Sequence, residues 1–553
     1  MKPYANAITS FAVFAAFALI IATPARAVDG VWAPTDGNSW TNAANWYDNV
    51  VPGGVGSVIT NPISSTSTTL DASFTVGKFI IDTSAGCYIT PGDGGSITFD
   101  NGSEAPEFQL YPGANRLWFY APLHGANGLV VCTKSTWKPF LQVYSPGTIS
   151  GDLVLSNSVI CNFMDKDAFG TAKTILASGS ELRINTDIIF ANEIVLAGGM
   201  LSATDYYGNG RPVYITGGIT LANGGRIDAG TSDGTPQLYI NCPITGTNPS
   251  NYIDFRGGAP GHNLAAPKHT HLNAPVSIDG SARAWNSDTV TVHMDVFLHV
   301  NAPFSWEAGR FNFWAGQIIC GAPYVFNTTN SIWFNTNNET FNHIFNLNGH
   351  NQRLGGFYGG ADKFDQPATY SRITSATPAT LTLDVPGNSN CNMAYRSYID
   401  GALTVVKAGT GTQQFSCTFA TNRIDKWVVE EGALILNGGV YTANAEINGG
   451  SLSGNGTLLF RFTENSYDAI IAESGTLDIS NMPVVFEGEV SDHEEYVILD
   501  ASAPGVAFTP AASADAPFLS VENLPEDCRL KYNPERTKVW VVKPLPATLL
   551  IVR

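Results

Sequence analysis

Charged residues make up only 14% of this chain, well under the ~25% of an average soluble protein. Its surface must therefore be built largely from Asn, Thr, Ser and Gly. Helical periodicity is almost absent beside the short alternating runs. That argues against any architecture built on helices. Basic residues are scarce, with 29 Lys and Arg against 47 Asp and Glu and a net charge of −18. No basic stripe is visible, so nucleic-acid binding by counterion displacement is excluded. Attraction to an anionic membrane surface is disfavoured for the same reason. No CxxC pair occurs among the eight cysteines at 87, 132, 161, 242, 320, 391, 417 and 528, which leaves a zinc or thioredoxin-type site without support. Several cysteines lie in apolar, strand-like runs such as Gln317–Cys320. They are expected to be small buried hydrophobes, with room for one or two bridges if the chain is exported.

One apolar run does exist, Phe11–Ala22, preceded by Lys2 and followed by Ala25-Arg26-Ala27. A positive start, a short apolar stretch and a small-x-small site together make an export signal over 1–27. The run falls short of the ~20 residues that span a bilayer. No later segment is apolar enough to cross, so no transmembrane segment is expected in the mature chain.

What the chain has is β-sequence. Hydrophobic residues reach 44% and there are 55 glycines, enough for a large core. Runs of four to seven β-branched, aromatic and aliphatic residues alternate with Gly, Asn, Asp and Ser clusters. Lys78–Asp82, Glu193–Leu196 and Trp427–Glu430 are examples. The runs repeat. Leu196-Ala197-Gly198-Gly199-Met200-Leu201 is echoed 25 residues later by Leu221-Ala222-Asn223-Gly224-Gly225-Arg226-Ile227. Glu431-Gly432-Ala433-Leu434 and Gly450-Ser451-Leu452 lie 18 apart, and Ser474-Gly475-Thr476-Leu477 follows after 25 more. A period of 18–25 fits one coil of a β-solenoid. The Gly pairs would supply positive φ at the corners. One coil cannot bury its own face, so the array must be contiguous and capped.

Two phrases resemble a known family. Leu403–Thr412 with Trp427–Gly438, and Phe345–Gly356, are similar to the autotransporter-associated β-strand repeat, whose pattern joins "LxKxGxGT" to "VxxGxLxLNG" and includes "LxLNGxNQxxGGL". The resemblance implies a right-handed, single-stranded parallel β-helix exported by a bacterium with an outer membrane. It implies no chemistry. Trp32, Trp40, Asn45-Trp46 and Pro52 resemble the opening segment of large secreted proteins carrying this repeat. The three Trp are expected to cover the open end of the solenoid, or else to offer a sugar-stacking surface. From about Thr463 the chain grows acidic, and this stretch resembles the closing segment of the same proteins. It lacks the loop patterns of a calcium site. The resemblance departs at its end: neither the terminal transmembrane barrel of a full autotransporter nor a surface-sorting tail at Pro544–Arg553, which holds few apolar residues, is expected. The implied organisation is a signal at 1–27, a Trp-rich cap at 28–62, a repeat array at 63–462 and an acidic β cap at 463–553.

The search for chemistry returns mostly negatives. Glycoside hydrolysis needs two carboxylates at set separations. Asn185-Thr186-Asp187 opens like a polygalacturonase motif, but Ile188 follows, no Asp-Asp pair exists, and Gly261-His262-Asn263 is a partial echo. GxxxxGK[ST] is absent. His269-Thr270-His271 would put two rings on one side of a strand, the arrangement of metal ligands, but no HExxH or nearby acid completes it. No cofactor, metal site or catalytic residue is assigned.

Aromatics crowd between 304 and 358. Most must be core, and a minority could face outward beside Asn312 and Asn335 as a saccharide platform. Trp306, Trp314 and Trp333 are the candidate carbohydrate-binding residues. The expectation is therefore an all-β, capped β-solenoid on the outer cell surface or secreted, with an adhesive or glycan-binding role. A carbohydrate-active enzyme with an unrecognised site, and a purely structural envelope protein, stay open as alternatives.

Overall fold

A computed structural model describes residues 26–543, except 63–66, 84–85, 112–115, 135–137, 186, 206–209, 231–236, 258–267, 281–287, 294–295, 336–342, 360–370, 388–392, 396–397, 417–422, 431–432, 438–444, 448–450, 455–456, 464–465, 468, 473–474, 491–494 and 513–516. Residues 1–25 of the expected export signal and the terminal Pro544–Arg553 stretch lie outside the described residues, as do His262 and Thr186.

The fold is a parallel β-helix. Among the described residues only Ala43–Asn45 forms a helical turn, and no helix is long and apolar enough to cross a membrane. Successive coils visit three parallel sheets in turn. Ile194–Ala197 lies in the first sheet, Met200–Thr204 in the second and Val213–Ile215 in the third; Ile219–Leu221 then returns to the first. In the earliest coils a four-stranded sheet, Ser73–Val76 to Thr148–Ile149, takes the third side.

Register explains the repeats. Leu196 pairs with Leu221, so the 25-residue echo is one full coil. The column continues downward through Leu176, Leu155, Val131, Phe108 and Phe79, all buried. Each such side chain contributes roughly 1.5–3 kcal/mol by leaving water, and stacking like on like keeps the core continuous. The Gly-Gly corners serve two purposes. Gly198 and Gly224 have φ of +92° and +80°. A Cβ on Gly199 or Gly225 would meet the Cβ of Leu176 or Leu196 at 2.7 Å or 2.6 Å, so a side chain has no room there. Polar ladders run outside: Asn273 donates to Asn241 at 2.8 Å and Asn301 to Asn273 at 2.7 Å.

The 18-residue spacing is not a coil. Leu434 belongs to the second sheet and pairs with Leu458, whereas Leu452 belongs to the third and pairs with Trp427 and Leu477. A similar phrase on two different faces produced the shorter interval.

The first sheet ends at Phe304–Trp306. Beyond it one long strand, Ser371–Asp384, replaces two. Its start pairs with His343–Asn346 and its end with Gln352–Leu354. Here the family-like phrases acquire a mechanical meaning. Asn348-Gly349 turns with positive φ. Buried Gln352 accepts from Phe326 N–H at 3.1 Å and donates to Ala322 C=O at 2.9 Å, tying neighbouring coils. Lys407 folds back onto the carbonyls of Ala408 and Gly409 at 2.7 Å and 2.8 Å.

Trp32, Trp40 and Trp46 are buried and meet one another edge to face or tilted at 5.0–6.1 Å, over Phe74 and Phe79. They cover the first coil, which already includes Gly30–Val31 and Val58–Asn61 of the first sheet. At the other end the parallel ladders run past 462, through Val484–Gly488 to Val521–Glu522. There Glu495–Asp500, Arg529–Tyr532 and Lys538–Val542 pair antiparallel. Among the described cysteines, 87, 132, 161, 242, 320 and 528 are free, and all but Cys528 are buried. Burial pushes the Cys87 and Cys242 thiols up to about 11.

Candidate functional site

The outer face of the second sheet carries the densest chemistry. Four strands alternate a charged or amide side chain with an apolar one: Glu181–Asn185, Gly225–Asp228, Ile253–Arg256 and Arg310–Phe313. The period of two sends Leu182, Ile227, Phe255 and Phe311 into the core and the polar partners outward. Parallel register then lines the outward groups up. Gln142, Asn162, Arg183, Ser202, Asp228 and Arg256 follow one another coil by coil. Beside them run Arg226, Asp254, Thr291, Asn312, Trp333 and Tyr358.

The charges are paired along this strip. Arg183 Nε lies 2.7 Å from Glu181 Oε1, which also accepts from Ser202 Oγ at 2.8 Å. Asp254 Oδ2 accepts from Arg226 Nε at 3.2 Å and Arg256 Nε at 2.8 Å. Its Oδ1 lies 3.1 Å from His293 Nε2. Asp288 holds Arg310 Nε at 2.6 Å and Asn312 Nδ2 at 2.7 Å. Glu181, Asp228 and Asp254 are buried although they stand on the outer face. Burial, with the Glu181 charge adding to it, raises the Asp228 carboxyl to about 6, against the pull of the Gly230 N–H and of Arg256 and Arg226. Burial likewise lowers His293 to about 4, opposed by Asp254 and reinforced by Arg256 and Arg226, so its ring is neutral at pH 7.

The three candidate Trp residues meet different fates. Trp306 is 2% exposed. It lies two residues from Phe304 on the inward side of the strand, with Phe311 at 5.1 Å. It belongs to the core and is excluded from a surface platform. Trp333 does face outward, but Arg310 Cζ sits 3.9 Å from its ring centre and Tyr358 stacks nearly parallel at 6.3 Å. Trp314 is half-buried and packs on His293 at 4.8 Å, its Nε1–H without a partner. Columns on a parallel sheet stack along the solenoid axis, so Trp333 turns its flat faces to neighbouring coils rather than to solvent. An open aromatic platform of Trp306, Trp314 and Trp333 is therefore not built. Asn312 and Asn335 are on this face and buried. Asn185 and Asp187 remain near one another in sequence, but Asp187 pairs with Arg211 at an exposed corner.

Sequence reasoning missed this strip. Its signal was present as four alternating tetrapeptides (ELRI, GRID, IDFR and RFNF), whose charges are too far apart in sequence to be seen as a cluster. It also missed the aromatic column at the other end, where Tyr88 stacks on Trp118 at 4.3 Å and Tyr120 on Tyr144 at 4.4 Å. No protein-family model, curated protein or solved structure matches the chain.

Proposed function

We propose that the chain is an exported β-helix protein, of the autotransporter-associated repeat kind, that binds carbohydrate along the outer face of its second sheet. Its place of action would be the outer surface or surroundings of a bacterium with an outer membrane. The observation that carries this reading is the concentration of charge: in a chain only 14% charged, carboxylates and guanidinium groups alternate on one face from Gly225–Asp228 to Arg310–Phe313, with Glu181 and Arg183 two coils earlier. Groups that hold one another in place are rigid acceptors and donors, suited to reading the hydroxyls of a polyol. The strip is long and linear, which suits a polymer. Because the Trp333 column presents edges, recognition would be chiefly polar.

A second reading, catalysis on carbohydrate, is favoured by Asp228. A carboxyl that keeps its proton to about pH 6 has the property required of a general acid. One experiment separates the readings. The purified protein is mixed with neutral and acidic polysaccharides, and retention and release of reducing or unsaturated ends are recorded in the same tubes. Retention without release is the expected result. Release of ends moves the function to catalysis. Neither signal removes the carbohydrate reading and leaves a purely architectural role.

A further inference from the structure

On the third sheet, away from the charged strip, three histidines converge. We propose that His269, His271 and His299 form a binding site for a divalent transition-metal ion of the zinc class. His269 and His271 stand on the outer side of Lys268–Leu272, with Thr270 between them pointing inward. His299 stands on the next coil, in Val296–Val300, directly paired with His271. Each ring offers one nitrogen, and the three nitrogens lie within 4.8 Å of one another. His269 Nδ1 and His299 Nε2 are 2.9 Å apart.

Tetrahedral zinc with Zn–N bonds of ~2.0–2.1 Å holds its ligand nitrogens ~3.3 Å apart. One pair is already near that separation. The widest needs to close by ~1.5 Å, within reach of rotations about the Cβ–Cγ bonds. Three protein nitrogens with a fourth position toward solvent is the ligand count of an open zinc site. An all-imidazole set suits zinc, copper or nickel and disfavours calcium and magnesium, which take oxygen.

Simple stacking accounts for only part of the arrangement. Tyr214, Tyr239, His271 and His299 do form a column, with centroids 5.1, 4.2 and 4.2 Å apart. His269 lies outside that column, in register with Gln237 and Phe297, yet its Nδ1 crosses to His299. His271 Nε2 is buried with no hydrogen-bond partner, an arrangement that costs free energy unless something binds there. Metal binding would give that nitrogen a partner, at the expense of the His271–His299 stack, whose planes are 13° apart and must tilt to converge.

The test uses the untagged full chain, stripped with chelator and titrated with Zn²⁺ calorimetrically, and with Co²⁺ by absorption. The expected result is one tight equivalent, with a Co²⁺ spectrum of d–d bands and no thiolate charge-transfer band. His299→Phe keeps a ring in the column, and His269→Gln leaves the column untouched. Each should lower Zn²⁺ affinity by more than the ~10–100-fold that loss of an outer-sphere partner causes, with unchanged far-UV circular dichroism. No uptake by the wild-type chain, uptake undiminished in these variants, or a thiolate band would each overturn the proposal.

Discussion

Arg226 and Asp254 are register partners on neighbouring coils, and Nε of the first donates to Oδ2 of the second at 3.2 Å. They lie 28 residues apart in sequence. The same carboxylate takes Arg256 from its own strand, so a single buried Asp fastens two coils and orients two guanidinium groups.

Removing that anchor should be expensive. Asp254→Ala leaves the partly exposed Arg226 and Arg256 without their shared acceptor, and a loss of about 1–3 kcal/mol is expected from the lost charge-assisted hydrogen bonds. Urea unfolding followed by Trp fluorescence measures it. Asp254→Asn, which keeps an acceptor oxygen, should lose less. A polysaccharide retained by the wild-type protein should bind both variants more weakly, and equal retention would detach the strip from binding.

Trp306 and Trp333 make a matched contrast. Trp306→Ala opens a core cavity and is expected to destabilise by about 3–5 kcal/mol. Trp333→Ala removes a half-buried ring from the outer face and should change stability by about 1 kcal/mol or less beyond its packing on Arg310. Any effect on carbohydrate retention should belong to Trp333. Weakened retention in a folded Trp306→Ala protein, with none in Trp333→Ala, would reverse the assignment.

Asp228 should give stability a pH dependence of definite sign. Its carboxyl titrates at about 6 when folded against 3.8 ordinarily. The folded state therefore binds more protons between those values, and stability falls as pH rises through that window. The full difference is on the order of 2–3 kcal/mol. Denaturation midpoints of wild type and Asp228→Asn, compared from about pH 4 to about pH 7, isolate this group. A constant difference across the window would show that Asp228 is not buried as described.

Trp40 seals the first coil. Trp46 Nε1 donates to its carbonyl at 2.8 Å, and its ring packs edge-on against Phe74 and Phe79. Trp40→Ala should expose the end of the stack. Because each coil leans on its neighbours, amide exchange should rise first in the strands Val58–Asn61 and Lys78–Ile81 and fade along the array. Uniform exchange along the whole solenoid would refute a capping role.

Gln352 offers a test inside the family-like phrase. Gln352→Leu preserves size but leaves Phe326 N–H and Ala322 C=O without their partner. A loss of about 1–3 kcal/mol is expected, chiefly from the buried Phe326 N–H left unsatisfied, read from the denaturant midpoint.

Composition and local pattern determined the fold class. Alternating runs, Gly-Gly corners and the 25-residue echo are properties of neighbouring residues, and Leu196 over Leu221 is their direct consequence. The Trp-rich start was legible too, because large apolar rings near one end of an array have few other places to go. What the sequence by itself left undecided is everything that depends on register between coils. Whether Leu452 stacks on Leu434 or Leu477 is a question of which sheet each occupies. Trp306 and Trp333 look alike in sequence, yet alternation counted from the neighbouring strand puts one inside and one out. Glu181, Asp228, Asp254 and Asp288 are separated by tens of residues, and only the ~4.8 Å step from strand to strand brings such groups into one strip. The same step places His299 beside His271. Short-range physics set the coil; the stacking of coils, a long-range event, made the sites.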